Sequence, residues 1–510
     1  MSQSWTDGYI AEITYTHGFY RELTPAMLRV AALARNQDAP DVTSSLTYCE
    51  LGCGQGFSTN LLAAANPHIR FYATDFNPTQ VSGARDLAAA AGIGNVQFFD
   101  DSFEEFARRD DLPSFDFICL HGIYSWISAA NRAHIVDFIR RRLKIGGLVY
   151  ISYNALPGWA SFMPIRRLLV DHASESGGPI VSRIDAALAF TDSLLQVNGR
   201  YTASQPGMKE RVERLKTQPR AYLAHEYFNK DWTPFYFADV VAELEVAKLN
   251  WAASANLLDT QDVLSFSPEQ QKFMGTITDP VRRESMRDYL ISQQFRRDIF
   301  IKGPRTLAGA QQISRWRELR LALTTPAENI SLKVNLTGRE ILLQEASYNP
   351  VLDILKKGPI TVQDLLQDPT VASMNLSRLL QTVVILMGLG HVQPCLPAET
   401  DEQRRDATRR FNRAVAERAR QSGDLNYLAS PVTGGGITVD RIHQLFLLGH
   451  WDQAPNLPAF AWDALAAANQ RLLKDGAALQ TAEENLAELA SRHERFLSRD
   501  FPIYRGLGIA

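Results

Sequence analysis

A run of closely spaced glycines is the part of the sequence whose residue types most clearly suggest chemistry. The segment reads Tyr48-Cys-Glu-Leu-Gly-Cys-Gly-Gln-Gly56, with short apolar residues before it and a helical pattern after it. This order predicts a strand, a tight turn and a helix. Glycine permits sharp backbone turns and lets a ligand approach the main-chain N–H groups at a helix N-terminus. The segment is therefore a candidate ligand-binding loop.

An acidic residue one strand further along supports this interpretation. Asp75 ends the strand-like segment Arg70-Phe-Tyr-Ala-Thr-Asp75. In folds that alternate strands and helices, a carboxylate in this place binds ribose hydroxyls. A dinucleotide-binding loop is the obvious competitor, but such a loop has GxGxxG spacing. Here the spacing is GxGxG with an acid, Glu50, two residues before the first glycine, which argues against a dinucleotide.

The loop resembles the first motif of the class I S-adenosylmethionine (SAM) methyltransferases. In that family the acid, here Glu50, orients the loop. The glycines, here Gly52, Gly54 and Gly56, make room for the methionine part of the cofactor. The resemblance therefore implies SAM as the cofactor, with its ribose held by Asp75.

An acidic pair follows the third predicted strand, in the segment Phe99-Asp-Asp-Ser-Phe103. Class I methyltransferases commonly present an acid to the adenine amino group at this place. The resemblance implies that Asp101, or else Asp100, accepts a hydrogen bond from adenine and that the adjacent backbone N–H, at Ser102, serves a ring nitrogen. The alternative is that Asp101 and Ser102 cap a helix, because two glutamates follow in the arrangement that caps favour. The two roles can coexist.

The ends of the fourth and fifth predicted strands carry the residues expected nearest to the reacting methyl group. The first segment is HGIYSW, from His121, and the second is YNALPGW, from Tyr153. Methyl transfer requires a nucleophile held close to the methyl group, in line with the departing sulfur and in a dry pocket. A lone histidine at a strand end is more often structural, but here aromatic residues accompany it. The candidate catalytic residues are His121, Tyr124, Trp126, Tyr153 and Asn154, and His121 is also a candidate cofactor ligand.

The N-terminal segment from Tyr9 to Tyr20, YIAEITYTHGFY, is unusually aromatic. Methyltransferases of this class often close the cofactor cleft with residues ahead of the first strand, and a sulfonium cation is attracted to aromatic faces. Tyr15, His17 and Tyr20 are therefore site candidates, and Tyr15 is counted as a candidate catalytic residue. An amphipathic arm packed on the core explains the same pattern equally well.

Strand and helix patterns alternate with little ambiguity between residues 46 and 153. Such alternation predicts a parallel sheet covered by helices, with ligands at the carboxyl ends of the strands. A later helix and two later strands would complete the α/β, Rossmann-like seven-stranded sheet of a class I methyltransferase. The predicted strands are 46–51, 70–74, 96–99, 115–120, 147–153, 248–257 and 295–302, and the predicted helices include 79–91, 132–143 and 236–247.

The rest of the chain predicts a helical insertion in this core and two further domains. The middle domain has the order strand, helix, helix, helix and strand, which resembles a winged-helix module. Nucleic-acid binding would need a basic recognition helix, but residues 375–386 offer only Arg378. The predicted domains are a core of 1–160 and 221–303, an insertion of 161–220, a winged-helix-like domain of 304–398 and a mostly helical domain of 399–510.

Two neighbouring residues of the core, His225 and Glu226, attract notice as an acid/base pair. Adjacent residues on a helix do not share a face, so we expect only one of them to reach the cleft. Purely structural roles for both are the simpler alternative.

Several motifs together indicate a more specific resemblance. The aromatic arm, ELGCGQG, HGIYSW and YNALPGW resemble bacterial methyltransferases with a methyltransferase regulatory domain, including rickettsial lysine methyltransferases that act on outer-membrane proteins. The resemblance continues through YLAHEYF from Tyr222, QFRRDIF from Gln294 and YLASP from Tyr427. It implies a protein lysine as the methyl acceptor. It also implies that the insertion contributes to the substrate cleft and to the contacts of a homodimer, although a solvated helical cap explains the same sequence equally well.

Composition limits the other classes of function. The chain has 510 residues and a formal net charge of -3, so it carries no overall basic field for nucleic acid or lipid. Neither a signal peptide nor a membrane span is visible, and four cysteines in this length suit a reducing compartment. We therefore expect a cytoplasmic protein. The spacing of the cysteines predicts no metal site.

The leading hypothesis is a SAM-dependent protein-lysine N-methyltransferase. A lysine ammonium must lose a proton before it can attack, and its reference pKa of about 10.4 opposes this in water. Desolvation among aromatic side chains lowers that pKa. In this hypothesis Asn154 orients the amine in a channel formed by Tyr15, His121, Tyr124, Trp126 and Tyr153. One alternative is an O-methyltransferase of a surface glycan or small metabolite, with His121 or His225 as general base. Another is a catalytically inactive, SAM-binding regulatory protein.

Overall fold

Seven strands form the central sheet: β1 (Thr47–Leu51), β2 (Arg70–Thr74), β3 (Val96–Phe99), β4 (Phe115–Leu120), β5 (Leu143–Asn154), β6 (Leu249–Ser254) and β7 (Phe295–Lys302). Their order is 3-2-1-4-5-7-6. Strands β1 to β5 are parallel, and β7 runs antiparallel between β5 and β6. The predicted α/β fold with a Rossmann-like seven-stranded sheet is confirmed. The computed structural model describes residues 9–10, 12–13, 17–197, 199–336 and 338–510.

Helices cover both faces of the sheet because successive strand residues point to opposite sides. Phe117 and Cys119 of β4 share a hydrophobic cluster with the helices at 25–34 and 57–65. Ile118 and Leu120 share another cluster with the helices at 103–108 and 129–142. The sheet is therefore buried on both faces, as a parallel sheet requires. The helices of this half are α1 (Pro25–Ala34), α2 (Phe57–Ala65), α3 (Pro78–Ala90), α4 (Phe103–Arg108) and α5 (Ala129–Arg142).

Between β5 and β6 the chain forms a helical layer with its own hydrophobic cluster. That cluster extends from Trp159 to Phe228, so the last helix of the layer packs with the insertion. The helices are α6 (Met163–Glu175), α7 (Ile180–Gln196), α8 (Arg200–Ala203), α9 (Met208–Lys216) and α10 (Arg220–Tyr227). Around β6 and β7 lie α11 (Phe237–Glu245), α12 (Asp262–Ser265), α13 (Pro268–Gly275) and α14 (Pro280–Ile291).

The middle part of the chain combines helices with small antiparallel sheets. A three-stranded sheet has the order β11-β8-β12, and β9 and β10 pair as a hairpin, where the strands are β8 (Arg320–Leu323), β9 (Lys333–Leu336), β10 (Arg339–Leu342), β11 (Ile360–Thr361) and β12 (Val392–Cys395). The helices are α15 (Gly309–Glu318), α16 (Glu345–Leu355), α17 (Val362–Gln367) and α18 (Leu376–Leu389). The winged-helix character and the domain boundaries remain our proposals.

The C-terminal part is mostly helical, with two short hairpins. Its helices are α19 (Asp401–Arg418), α20 (Arg441–Trp451), α21 (Leu457–Ala467), α22 (Ala482–Arg495) and α23 (Phe501–Gly506). Its strands are β13 (Tyr427–Ala429), β14 (Gly436–Thr438), β15 (Leu473–Lys474) and β16 (Ala477–Ala478). Within the part of the chain that the structure describes, no helix has the length and apolar character to span a bilayer.

A glycine-rich loop, residues 434–436, fixes the C-terminal part to α2. The Asn66 side chain donates to the Gly434 carbonyl over 2.7 Å. A Cβ atom at Gly436 would lie only 2.8 Å from Leu61 of α2. Because α2 begins directly after the glycine loop of β1, the C-terminal part supports the helix that follows this loop.

Candidate active site

A cavity of about 490 Å³ opens at the carboxyl ends of the parallel strands. The loops after β1, β2 and β4 and the end of β5 form one wall, and α10, the N-terminal segment and the start of β7 form the other. This edge of the sheet is where ligands bind in such folds. The sequence candidates that line it are Glu50, Gly52, Gly54, Asp75, His121, Trp126 and Asn154, together with His17 and Tyr20.

The glycine loop has a backbone that other residues rarely adopt. Gly52, Gly54 and Gly56 have positive φ angles of 71°, 54° and 63°. A Cβ atom at Gly52 would lie 2.6 Å from Ile123 in the loop after β4, and one at Gly56 would lie 2.5 Å from Ala84 of α3. Glycine is thus required twice over, for the backbone conformation and for the close approach of neighbouring elements.

Asp75 holds the glycine loop from the neighbouring strand. One carboxylate oxygen accepts the N–H of Gly54 over 2.9 Å, and the other accepts the N–H of Asn77 over 3.0 Å. Burial raises the pKa of Asp75 to about 6, and the two N–H donors oppose this rise. Each oxygen retains a second acceptor position, so the carboxylate can hold the loop and also accept a ligand hydroxyl.

Glu50 lies beneath the loop, at the end of β1. Its carboxylate accepts a hydrogen bond from the hydroxyl of Thr59 in the first turn of α2. The side chain is buried, and this burial raises the pKa of Glu50 to about 7, with a smaller contribution from the charge of Asp75. The acid therefore ties β1 to α2 across the glycine turn.

The acidic pair after β3 lies beside the cavity. Asp101 accepts from Arg109 over 3.1 Å, and Asp100 lies 3.5 Å from Arg85. Ser102 and Glu105 form a complete capping box at the start of α4. The cavity lining in this region includes Phe103. Ser102 thus caps the helix. The adenine contacts of Asp101 and Ser102 remain a prediction.

His121 forms the centre of an aromatic stack. Its Nδ1 atom lies 2.8 Å from the Tyr150 hydroxyl, and its ring stacks on Tyr20 with centroids 3.6 Å apart. Burial, and secondly the charge of Arg297, lowers the pKa of His121 to about 3. The imidazole is therefore uncharged at neutral pH.

The N-terminal segment contributes to the site through the residues that the structure describes. Tyr20 and His17 both line the cavity, and His17 Nε2 lies 3.5 Å from Asp424 of the C-terminal part. These residues therefore line the cavity and also pack on the rest of the protein, and closure of the cleft by this segment remains a prediction. Tyr15 lies outside the described residues.

Trp126 and Asn154 reach the cavity from the ends of β4 and β5. The Trp126 indole N–H donates to the Glu226 carbonyl of α10 over 3.3 Å. The Asn154 main-chain N–H donates to Ser125 over 2.9 Å. Its buried side-chain Nδ2 atom has no hydrogen-bond partner among the described residues, so a donor is available to a ligand in the cavity.

Tyr124 and Tyr153 lie instead in the hydrophobic core on one face of the sheet. Tyr124 donates to Glu243 over 2.5 Å, and Tyr153 donates to Asp298 over 2.7 Å. Both rings pack against Phe235. Because their hydroxyls are engaged in the core, we remove both tyrosines from the proposed amine channel.

Helix α10 brings more residues to the cavity than expected. The prediction that only one of His225 and Glu226 reaches the cleft is wrong, because both line it together with Tyr222. The spacing explains this result: residues 222, 225 and 226 are related as i, i+3 and i+4, which places them on one helical face. His225 Nε2 lies 2.8 Å from the Ile13 carbonyl, and Nδ1 lies 3.1 Å from the Tyr9 hydroxyl.

Comparison with known proteins identifies the two halves of the sheet domain. A model described as a methyltransferase domain matches residues 49–149, and one described as a predicted methyltransferase regulatory domain matches residues 219–302. The chain is 43% identical over 507 residues to the uncharacterized protein sll1526 of Synechocystis, covering 99% of this chain and 100% of that protein. The two proteins belong to one family.

Rickettsial proteins share the sequence in part and the fold almost throughout. An uncharacterized protein of Rickettsia prowazekii, RP789, is 29% identical over 56% of this chain and 51% of its own length. The structure of PKMT2 from Rickettsia typhi in complex with AdoHcy superposes with a TM-score of 0.69 at 18% identity, covering 94% of this chain and 98% of that one. This chain belongs to the class I SAM-dependent methyltransferases.

The residues of this methyltransferase suit SAM. Gly52 and Gly54 face the cavity, beside a buried carboxylate and an amide donor that has no hydrogen-bond partner among the described residues. Gly52 and Gly54 would place their main chain against the methionine part, Asp75 would hold the ribose, and Asn154 offers its donor. In the described residues, no group of three His, Cys, Asp or Glu side chains is placed to hold a metal ion.

The burial of Glu50 predicts a pH-dependent stability of the methyltransferase. A folded-state pKa of about 7 exceeds the usual 4.5, so this residue's contribution to stability is full below pH 4.5 and is lost as the pH rises through 7. The Glu50→Gln variant keeps an acceptor for Thr59 and has no charge to bury. Relative to wild type, we expect its free energy of unfolding to rise by ~3 kcal/mol between pH 5 and pH 8.

Urea titrations of the SAM-free protein at four pH values in this range measure the difference. The Glu483→Gln variant changes an exposed glutamate and controls for the substitution itself. If the difference in free energy of unfolding between Glu50→Gln and wild type does not vary with pH, the raised pKa of Glu50 is contradicted.

The sequence analysis missed several residues of the site in this methyltransferase. Tyr9, Trp159, Tyr222, Phe295 and Arg297 line the cavity. Phe295 lies opposite Asn154 in the pairing of β5 with β7, which explains its place. The aromatic character of the N-terminal arm and of the YNALPGW segment was the available signal for Tyr9 and Trp159.

Proposed function

We propose that this methyltransferase transfers its methyl group to the side-chain amine of lysine in a protein. The observation that carries the proposal is the character of the cavity wall at the ends of β4 and β5. There, aromatic rings surround an imidazole whose pKa is lowered to about 3. An amine needs a dry channel and no strong base, whereas a hydroxyl needs a base to remove its proton. The name of the similarly folded PKMT2 is compatible with this proposal.

The residues of the chain divide the work as follows. SAM supplies a methyl group made electrophilic by its sulfonium. Tyr20, Trp126 and Phe295 exclude water around the amine, which favours its neutral form. The side-chain oxygen of Asn154 can accept a hydrogen bond from the amine and orient its lone pair. The amine proton is released to solvent before the side chain enters the dry part of the cavity.

The histidines test the choice between amine and hydroxyl chemistry. His225 lies within hydrogen-bonding distance of partners at both ring nitrogens, and burial lowers its pKa as well. We therefore expect His121→Asn and His225→Asn each to change kcat/KM by less than ~10-fold. General-base catalysis contributes ~10² to 10⁴-fold, so a loss of that size in either variant favours O-methylation. Initial rates with saturating SAM between pH 6 and pH 9 measure the effect.

Transfer of a tritiated methyl group from SAM into fractionated cell extract tests the proposed function. Protein, glycan and small-molecule pools are separated after the reaction, and the Asp75→Asn variant serves as the blank. We expect label in the protein pool alone. Label in the glycan or small-molecule pool would overturn the proposal. SAM binding without transfer to any pool would favour a regulatory protein. The cytoplasmic location and the homodimer remain proposals.

A further inference from the structure

A second cavity of about 540 Å³ is lined in part by residues 20–22. Tyr20 lines both cavities. The second cavity lies where the sheet domain, the middle part and the C-terminal part meet, since its lining includes Thr324, Gln393, Thr438 and Tyr504. Two cavities that share one side chain adjoin one another, so Tyr20 lies between them.

Residues 20–22, which lie between the two cavities, are held in place by hydrogen bonds and an ion pair. The Arg21 guanidinium donates to the carbonyls of Met387 and Gly388 near the end of α18, over 2.8 and 2.5 Å. Glu22 faces the second cavity and pairs over 3.3 Å with Arg297, which lines the active site. These contacts hold residues 20–22 in place, so Tyr20 has a fixed position at the junction.

The chemistry of the second cavity suits a polypeptide main chain. Uncharged hydroxyl and amide side chains contribute to it, from Thr324, Asn329, Gln393 and Thr438. Strand β14, which ends at Thr438, pairs only with β13 among the described strands. On its other edge the Gly436 carbonyl already accepts from the Gln393 side chain, so the end of that edge, at the exposed Thr438, is the part left for an extended chain. Arg21 and Glu22 already have ionic partners, which leaves Asp500 as the carboxylate suited to a basic side chain.

We propose that the second cavity binds the acceptor polypeptide in extended form, beside the lysine that enters the active site past Tyr20. This inference rests on the proposed function. The active-site cavity must hold SAM as well as the lysine side chain, so the acceptor main chain has to lie outside it. The second cavity, called the groove from here on, adjoins the active site and has the polar lining that such a chain needs. The middle and C-terminal parts thereby acquire a role in choosing the substrate.

Two substitutions that fill the groove test the proposal. Thr438 and Asn329 are both exposed, so Thr438→Trp and Asn329→Trp should both fold. Thr438 also lies on a strand, where tryptophan is favourable. The acceptor probe is the protein pool of the fractionated extract, whose concentration is varied at saturating SAM. We expect each variant to raise KM for the protein pool by ~10-fold or more, with kcat within twofold of wild type.

SAM affinity and the Thr276→Trp variant provide the controls. SAM should bind both groove variants as it binds wild type, which shows that they are folded. Thr276 is exposed and lines neither cavity, so its replacement should leave KM unchanged. If wild type labels protein but both groove variants keep the wild-type KM, the groove assignment alone is overturned. If wild type labels no protein, the proposed function is overturned and the groove assignment with it.

Discussion

The Asp75→Asn variant is expected to bind SAM ~10² to 10³-fold more weakly than wild type. The Asp75 carboxylate accepts the N–H groups of Gly54 and Asn77, so both oxygens already hold the binding loop. Asparagine would direct an NH₂ group at one of these donors and would remove the charge. A hydrogen bond to a charged group is worth ~1.5–3 kcal/mol, and ~1.4 kcal/mol is tenfold in affinity. Loss of the proposed ribose contacts together with the loop geometry therefore accounts for the expected factor.

Isothermal titration calorimetry with SAM at pH 7.5 measures the effect of Asp75→Asn. At that pH the wild-type carboxylate, with a pKa of about 6, is ionised. Asp86 is an exposed aspartate of α3, and Asp86→Asn serves as the matched control with wild-type affinity. If Asp75→Asn binds SAM with an affinity within threefold of wild type, Asp75 does not hold the cofactor.

A single methyl group at Gly56 is expected to destabilise the fold. Gly56 has a φ of 63° and precedes the first residue of α2. An alanine Cβ there would lie 2.5 Å from Ala84 and 2.7 Å from Phe98, both of which are packed in a small buried cluster. The left-handed backbone costs ~1–2 kcal/mol for alanine and the overpacking ~1–3 kcal/mol. We therefore expect Gly56→Ala to lower the free energy of unfolding by ~2–5 kcal/mol.

A neighbouring glycine provides the matched control for this substitution. Gly83 lies in the exposed part of α3, and a Cβ atom there would meet nothing within 4 Å. Alanine is the better helix former, so Gly83→Ala should raise the free energy of unfolding by up to ~1 kcal/mol. Urea denaturation of the two variants measures both changes. Equal stability of Gly56→Ala and Gly83→Ala would contradict the close packing at the loop.

The position of the site could be predicted because parallel strands share an edge. The bounds of β2, β3, β4 and β7 agree with the predicted strands. Once these strands are placed side by side, the residues after their carboxyl ends must meet. Gly52, Asp75, His121 and Asn154 are far apart in sequence and yet line one cavity. Local patterns of strands and turns were therefore sufficient for this part of the site.

The direction of individual side chains was harder to predict. Tyr153 and Asn154 are neighbours on β5, and successive strand residues point to opposite faces, so they could not both face the cavity. Alternation separates the two but does not say which one faces the ligand. Tyr124 and Trp126 lie in one tight turn, where Trp126 reaches the cavity and Tyr124 turns into the core. Only the packed structure decides between them.

The remaining residues of the site depend on contacts between distant segments. Phe295 comes to the cavity because β7 inserts antiparallel beside β5, and Tyr222 comes because α10 folds back from the helical insertion. Tyr20 was a candidate from the aromatic arm, but its stacking on His121 joins the N-terminal segment to the loop after β4. No local periodicity contains this information, since each contact joins elements roughly a hundred residues or more apart.

The most direct test of the proposed lysine chemistry is the chemical identity of the transferred methyl group. Protein labelled by tritiated SAM is hydrolysed completely in acid, and the amino acids are separated beside mono-, di- and trimethyllysine. We expect the label to elute with the methylated lysines and to resist mild base before hydrolysis. Label released by mild base as methanol would indicate a carboxyl ester and would contradict an amine acceptor.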